Sequence, residues 1–194
     1  MNKEITQTTG GQLSFEVFPP KKDDDFENVY ALLNQLSLLH PAFISVTYGA
    51  GGSKSKKTVE IASYIQNTLH IPAIAHMTCV GSARSDIDQV IAALKEANVN
   101  QVLALRGDRP AWMDDAQYEG RAFAHASDLT RYLSEHTDFQ IAGACYPEKH
   151  YEAVSFSEDI RHLKEKEEAG ARLLISQLLF ENSSFYHLDR KSDV

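Results

Sequence analysis

The fold class that this sequence predicts is α/β with a parallel sheet, most but not all of a β/α barrel. Three observations predict it. Short β-rich runs alternate with longer amphipathic stretches, the alternation recurs six times, and no second run of strands interrupts it. Taken alone, that pattern admits either an open doubly wound sheet or a barrel. The chain has 194 residues, 43% of them apolar, which suffices for one domain with a sizeable core.

The elements follow in order. Residues 13–18 read as a strand stopped by Pro19-Pro20, after a polar N-terminal stretch, 1–12, expected to be disordered or extended. Residues 26–39 carry Phe26, Val29, Tyr30, Leu33 and Leu36 at helical spacing, behind the acidic start Asp23-Asp24-Asp25. A strand over 43–47 leads into the glycine-rich segment Tyr48-Gly49-Ala50-Gly51-Gly52-Ser53, and a helix is expected over about 57–68. Strands over 73–78 and 101–105 flank a helix over 85–97. A loop of about twenty residues, 106–126, follows, and a loop that long within a compact domain is usually functional. A helix over 127–136, a strand over 140–146, a helix over 157–169 and a strand over 172–177 complete the pattern, with Gly170 placed as a helix C-terminal cap. Residues 13–194 are thus expected to form a single, incomplete β/α barrel domain. There is no internal repeat beyond the alternation, and no linker.

Composition narrows the function. Lys and Arg number 19 and Asp and Glu 27, a formal charge of −8 without any basic run, which argues against nucleic acid and anionic membrane as partners. No apolar run approaches the roughly 18 residues of a membrane span, and 1–12 lacks the apolar centre of a signal peptide. Cys79 and Cys145 are isolated, which suits a reducing cytoplasm, and no metal site is expected.

In both parallel architectures the active site gathers at the C-terminal ends of the strands. Those ends are polar here: Glu16 in the first strand, Thr47-Tyr48, His76-Met77-Thr78, Arg106-Gly107-Asp108, Tyr146-Pro147-Glu148 and Gln177 in the others. Singly, each has a plainer reading: Glu16 as an edge residue facing water, His76 as a hydrogen-bonded core residue, Arg106 and Asp108 as a loop ion pair, Tyr146 as a rim aromatic. Six strands doing this at the same end weaken the plain readings together. The glycine-rich segment matches neither GxGxxG nor the P-loop, so a Rossmann fold is disfavoured.

Five motifs occur in order: Phe15-Glu16-Val17-Phe18-Pro19-Pro20-Lys21, Ser45-Val46-Thr47-Tyr48-Gly49-Ala50, His76-Met77-Thr78-Cys79, Ala104-Leu105-Arg106-Gly107-Asp108 and Ala144-Cys145-Tyr146-Pro147-Glu148. They resemble the successive strand ends of methylenetetrahydrofolate reductase, the flavin enzyme of one-carbon metabolism. Ala169-Gly170-Ala171 and Ile175-Ser176-Gln177-Leu178-Leu179-Phe180 continue the resemblance, which covers about 13–180.

The resemblance implies a parallel (β/α)8 TIM-type barrel, of which about six βα units are present, with FAD at its C-terminal face. It implies reduction of 5,10-methylenetetrahydrofolate to 5-methyltetrahydrofolate by NADH or NADPH in a ping-pong sequence. Glu16 matches the general acid that assists opening of the folate ring, and flanking Phe15, Val17 and Phe18 are expected to raise its pKa by desolvation. Asp108 matches the aspartate between flavin and pterin. Gln177 matches a glutamine that contacts folate and nicotinamide, and Thr47 a residue near the nicotinamide. Tyr48, Ala50, His76, Arg106, Gly107, Asp108, Ala126, Tyr146, His150, Ala153, Asp159 and Lys166 match FAD-contacting positions. His162 and Glu165 depart from the family's usual Asn and basic residue, which leaves Lys166, and His162 beside it, to supply positive charge for the pyrophosphate.

After the sixth strand, Glu181-Asn182-Ser183-Ser184-Phe185-Tyr186 reads as the start of a helix, and the polar run from Asp189 to Val194 has no strand character. Strands seven and eight are therefore not expected. Truncation is the favoured reading, against a second polypeptide or homo-oligomer completing the barrel, or an open six-stranded sheet. Two other functions compete: another (β/α)8 enzyme such as an aldolase, which needs a Schiff-base Lys at a strand end, and a fragment that binds FAD without turnover.

Overall fold

The computed structural model describes residues 11–20, 26–48 and 52–192. Strands and helices alternate: β1 (Ser14–Val17), α1 (Phe26–Ser37), β2 (Phe43–Val46), α2 (Gly52–Ser63), β3 (Ala73–Thr78), α3 (Arg84–Glu96), β4 (Gln101–Leu105), α4 (Asp115–Glu119), α5 (Ala126–His136), β5 (Gln140–Cys145), α6 (Phe156–Glu168), β6 (Leu173–Ser176) and α7 (Asn182–Ser192). The strands run in chain order, β1-β2-β3-β4-β5-β6. This is the α/β, parallel arrangement that the alternation predicts.

The chain packs as two compact units, Met1–Met77 with Ser82–Val102, and Thr78–Gly81 with Leu103–Val194. In the first unit β1, β2 and β3 pair in parallel, with Glu16 level with Ser45 and Ser45 level with Ile74. β2 and β3 are buried almost throughout, as strands covered on both faces are. Leu33, Ile44, Ile61, Ile65, Ile74, Ile87 and Leu94 are among its fully buried side chains, each contributing about 1.5–3 kcal/mol by burial. In the second unit β5 pairs with β6 in parallel, Ala142 level with Leu173 and Cys145 level with Ser176. Leu129 and Leu133 of α5 are fully buried, and Leu163 of α6 packs with Cys145 and Leu188.

The expected bounds of 73–78 and 101–105 coincide with β3 and β4. Two elements differ from expectation. α2 starts at Gly52, earlier than expected, and its last turn widens into a π-helix, Tyr64–Thr68, closed by Leu69 N donating to Tyr64 O at 3.1 Å. The long loop contains α4, because Asp114 and Gln117 form a capping box: Gln117 N donates to Asp114 Oδ1 at 2.8 Å and Asp114 N to Gln117 Oε1 at 3.0 Å. Gly170 does end α6, at φ +122° with its N–H on Glu167 O, a conformation that disfavours any side chain. Of the N-terminal stretch expected to be disordered or extended, 1–10 lie outside the described residues, while Gly11 and Gln12 are exposed and belong to no helix or strand.

Candidate active site

In the first unit the chemistry sits where β1, β2 and β3 end together, as parallel pairing requires. Glu16 lies in β1 with its side chain half exposed, and its Oε2 is 3.5 Å from His76 Nε2 on β3. The imidazole is buried, and its Nε2 lacks a hydrogen-bond partner. At 3.5 Å the pair is within ion-pair reach without an aligned hydrogen bond. Burial raises the pKa of the half-exposed Glu16 carboxyl and holds that of the buried His76 imidazole down to about 4, so it works against the charged form of each.

The sequence foresees the direction of the Glu16 shift but assigns the wrong neighbours. Phe15 and Val17 flank Glu16 along a strand and therefore point to the opposite face, and Phe18 is 69% exposed. The side chain that stands beside the carboxylate is His76, two strands away. Thr47 continues the ladder beyond β2 by donating its N–H to Val17 O at 2.9 Å, and its own carbonyl accepts from Thr58 Oγ1 at 2.9 Å. Thr47 and Tyr48 are half-buried at that strand end, and Ala50 lies outside the described residues.

In the second unit Arg106 follows β4 and forms a bidentate pair with Glu152, Nη1 to Oε2 at 2.5 Å and Nη2 to Oε1 at 2.8 Å. That pairing drives Glu152 down to about 2 and raises the guanidinium further above its usual range. Tyr151 Oη adds a hydrogen bond to Glu152 Oε1 at 2.7 Å. Asp108 is exposed, and its charge reaches Tyr146, whose hydroxyl is raised first by burial and then by Asp108. Gly107 sits between Arg106 and Asp108 at φ +83°.

Tyr146 and His150 meet edge to face with ring centroids 4.6 Å apart. The buried Asp159 of α6 accepts from His150 N at 3.0 Å. Lys166 donates to Ala144 O at 2.7 Å, and burial lowers its ammonium pKa against the opposing pull of Asp159. Ala153 N donates to His150 O at 3.0 Å, which closes the turn after β5. Ala126 opens α5, and Gln177 extends the β5–β6 ladder through its N–H to Cys145 O at 2.9 Å, with its side chain exposed. Glu165 is engaged by its own helix, by His162 Nδ1 at 2.9 Å and by Arg161.

The structure thus brings Glu16 to His76 in one unit. In the other it gathers Arg106, Tyr146, His150, Asp159 and Lys166 around the β4 and β5 ends and α6. Guanidinium, ammonium, imidazole, phenol and carboxylate together suit a ligand with both anionic and ring-bearing parts. Glu152 is the residue that the sequence reading passes over. Its signal is modest: an acid two residues past His150, inside a turn already supplying three candidates. Among the described residues no cluster of His, Cys, Asp and Glu could hold a metal ion. None of the described strands ends in Lys, which removes the feature that the aldolase alternative requires.

A family model for methylenetetrahydrofolate reductase matches residues 2–193. The chain belongs to that family. It is 36% identical to methylenetetrahydrofolate reductase (NADH) 1 of Arabidopsis thaliana, across 94% of this chain and 33% of the plant protein. It is 35% identical to the 5,10-methylenetetrahydrofolate reductase of Pectobacterium carotovorum, across 95% of this chain and 60% of the bacterial one. The corresponding figures for the Escherichia coli enzyme are 33%, 95% and 61%. The chain therefore spans from a third to about three fifths of these relatives' length. Among solved structures, dihydrodipicolinate synthase from Aquifex aeolicus superposes with a TM-score of 0.55 at 13% identity, covering 93% of this chain and 59% of that one. The 4-hydroxy-tetrahydrodipicolinate synthase of Methylacidiphilum fumariolicum gives 0.52, also at 13%, over 81% and 52%. Both are TIM-barrel-like enzymes, and at that identity the likeness speaks for fold alone. Among the described residues no helix is long and apolar enough to cross a membrane.

Proposed function

We propose that the chain carries out the family's reaction: flavin-dependent reduction of 5,10-methylenetetrahydrofolate to 5-methyltetrahydrofolate with NADH or NADPH as donor, the two substrates using FAD in turn in the cytoplasm. The observation that carries the reading is the Glu16 carboxyl at the end of β1, held toward its protonated form by burial. A carboxyl whose pKa is raised is better matched to deliver a proton to a ring nitrogen of the folate than one at its ordinary pKa.

The donor set fits FAD. Arg106 and Lys166 are the cations for its phosphates, Asp159 is a carboxylate for a ribose hydroxyl, and Tyr146 and His150 offer ring faces and edges. When bound, FAD supplies hydride acceptance and return. The chain's residues do the rest. Glu16 holds the proton, Asp108 places a negative charge where positive charge develops on the folate, and Gln177 both donates and accepts hydrogen bonds to whichever substrate is present. Thr47 adds a hydroxyl for the nicotinamide. Because Glu152 already neutralises Arg106, and Glu165 is engaged by His162 and Arg161, Lys166, beside Asp159, is a cation left for an incoming phosphate.

The test is optical. The purified chain, reconstituted with FAD, should be yellow and bleach anaerobically on adding NADH. A colourless protein that takes up no flavin contradicts the reading. Bleaching that folate cannot reverse favours a flavin-binding fragment without turnover.

A further inference from the structure

We propose that His76 is the positioning residue for the Glu16 proton: its buried Nε2, 3.5 Å from Glu16 Oε2 and without a hydrogen-bond partner, accepts from the protonated carboxyl. The inference rests on the proposed function only in taking Glu16 as the acid. It also gives His76 a task distinct from cofactor contact.

The geometry leaves the nitrogen few alternatives. A buried ring nitrogen without a partner is costly, and the carboxylate oxygen is the polar atom placed beside it. Glu16 is half exposed, so its carboxyl can turn the remaining few tenths of an ångström to hydrogen-bond distance without disturbing the core. Opposite Glu16 on β2 stands Ser45, which does not titrate in this range, and Ile74 stands level on β3. Of the charged groups on α2 whose side chains are described, Lys57 donates to Pro20 O at 3.1 Å, Glu60 accepts from Tyr30 Oη at 2.8 Å, and Lys56 is exposed.

Two protonation patterns suit a neutral imidazole here. In one, Nε2 carries the hydrogen and donates to an ionised Glu16. In the other, Nδ1 carries it, and Nε2 accepts from a protonated Glu16. Burial disfavours the charged form of both groups, and only the second pattern leaves both uncharged. It is also the pattern in which the acid's proton is held in one direction rather than on a freely turning carboxyl.

The experiment follows Glu16 by NMR in the whole chain carrying carboxyl-13C glutamate, with its signal assigned by its loss in Glu16→Gln. His76→Phe keeps the apolar surroundings of the carboxyl and removes the acceptor. The expected result is a fall in the Glu16 titration midpoint of roughly half a unit to one unit, the equivalent of one hydrogen bond to the neutral form. His76→Gln, whose amide oxygen accepts, should recover part of it. An unchanged midpoint overturns the proposal, and so does a higher one, which would mean that Nε2–H donates to the carboxylate. Imidazole 15N shifts of the unaltered chain give an independent reading should either variant fail to fold. Below the Glu16 midpoint Nε2 should be unprotonated and Nδ1 protonated, and the opposite tautomer overturns the proposal. Neither reading needs turnover, so a chain that fails to reduce folate would contradict the proposed function while leaving this pair to stand or fall by itself.

Discussion

Gly107 joins Arg106 to Asp108, and its backbone at φ +83° places the missing side chain in a closed space. A Cβ there would meet Val80 Cγ1 at 2.9 Å and Thr78 Cβ at 3.0 Å, distances that require those side chains or the turn itself to move. Replacing Gly107 by Ala therefore has two costs. The left-handed conformation costs an L-residue about 1–2 kcal/mol, and overpacking against Val80 and Thr78 costs about 1–3 kcal/mol. The sum is about 2–5 kcal/mol, or a fall in melting temperature of about 4–20 °C for a chain of this length. Gly143 is the control. Its added Cβ would meet nothing closer than 3.5 Å, and it lies in β5 without a positive φ, so Gly143→Ala should change stability by less than about 1 kcal/mol. Chemical denaturation of the two variants beside the parent measures both. Equal stabilities for Gly107→Ala and Gly143→Ala would refute the reasoning. Because the relaxed turn re-aims the residues on either side, Gly107→Ala should also weaken FAD uptake more than its loss of stability explains.

Other outcomes follow from the same geometry. Glu152→Gln removes the countercharge of Arg106; with Glu152 partly exposed, the solvent-screened loss of stability should be about 1–2 kcal/mol, measured by denaturation near neutrality. The Glu152 pKa is depressed from 4.5 to about 2, so the pair's contribution is fully present above pH 4.5 and disappears as pH falls from there toward 2; a parent and variant that differ equally at pH 7 and pH 2.5 would contradict this. Glu16→Gln should leave NADH-to-flavin electron transfer near normal and slow folate reduction by about a hundredfold or more, in anaerobic half-reactions followed separately. Equal loss in both halves removes the acid role. Asp108→Asn should slow folate reduction and make the flavin easier to reduce, read as a more positive midpoint potential; an unchanged potential argues against the electrostatic part.

Much of the frame was legible because burial is written into the residues. β3 and β4 are mostly apolar and buried almost throughout, and their limits coincide with expectation. α4 escaped because five residues are too few to show a period, although the Asp114–Gln117 capping box announces its start. The start of α2 escaped for another reason: Gly52 lies inside the glycine-rich segment that reads as a loop, whereas the helical stretch ends at Thr68 as the spacing predicts, its last turn being π.

For the site, sequence marked the strand ends but not who faces whom. That His76 lies against Glu16 depends on the register of three strands and spans sixty positions of chain, and that Glu152 clasps Arg106 depends on how the turn after β5 folds back. The direction of the Glu16 shift is legible in the sequence, but the side chain that stands beside the carboxyl is not. In a strand the nearest residues in sequence are the ones pointing away.

The most direct test of the account is anaerobic reoxidation. The FAD-loaded chain, reduced by NADH and freed of excess nucleotide, is mixed with 5,10-methylenetetrahydrofolate while the flavin absorbance is followed and the folate product analysed. The account predicts that the flavin band returns and 5-methyltetrahydrofolate forms in equal amount. A flavin that stays reduced, or returns without methylated folate, contradicts it.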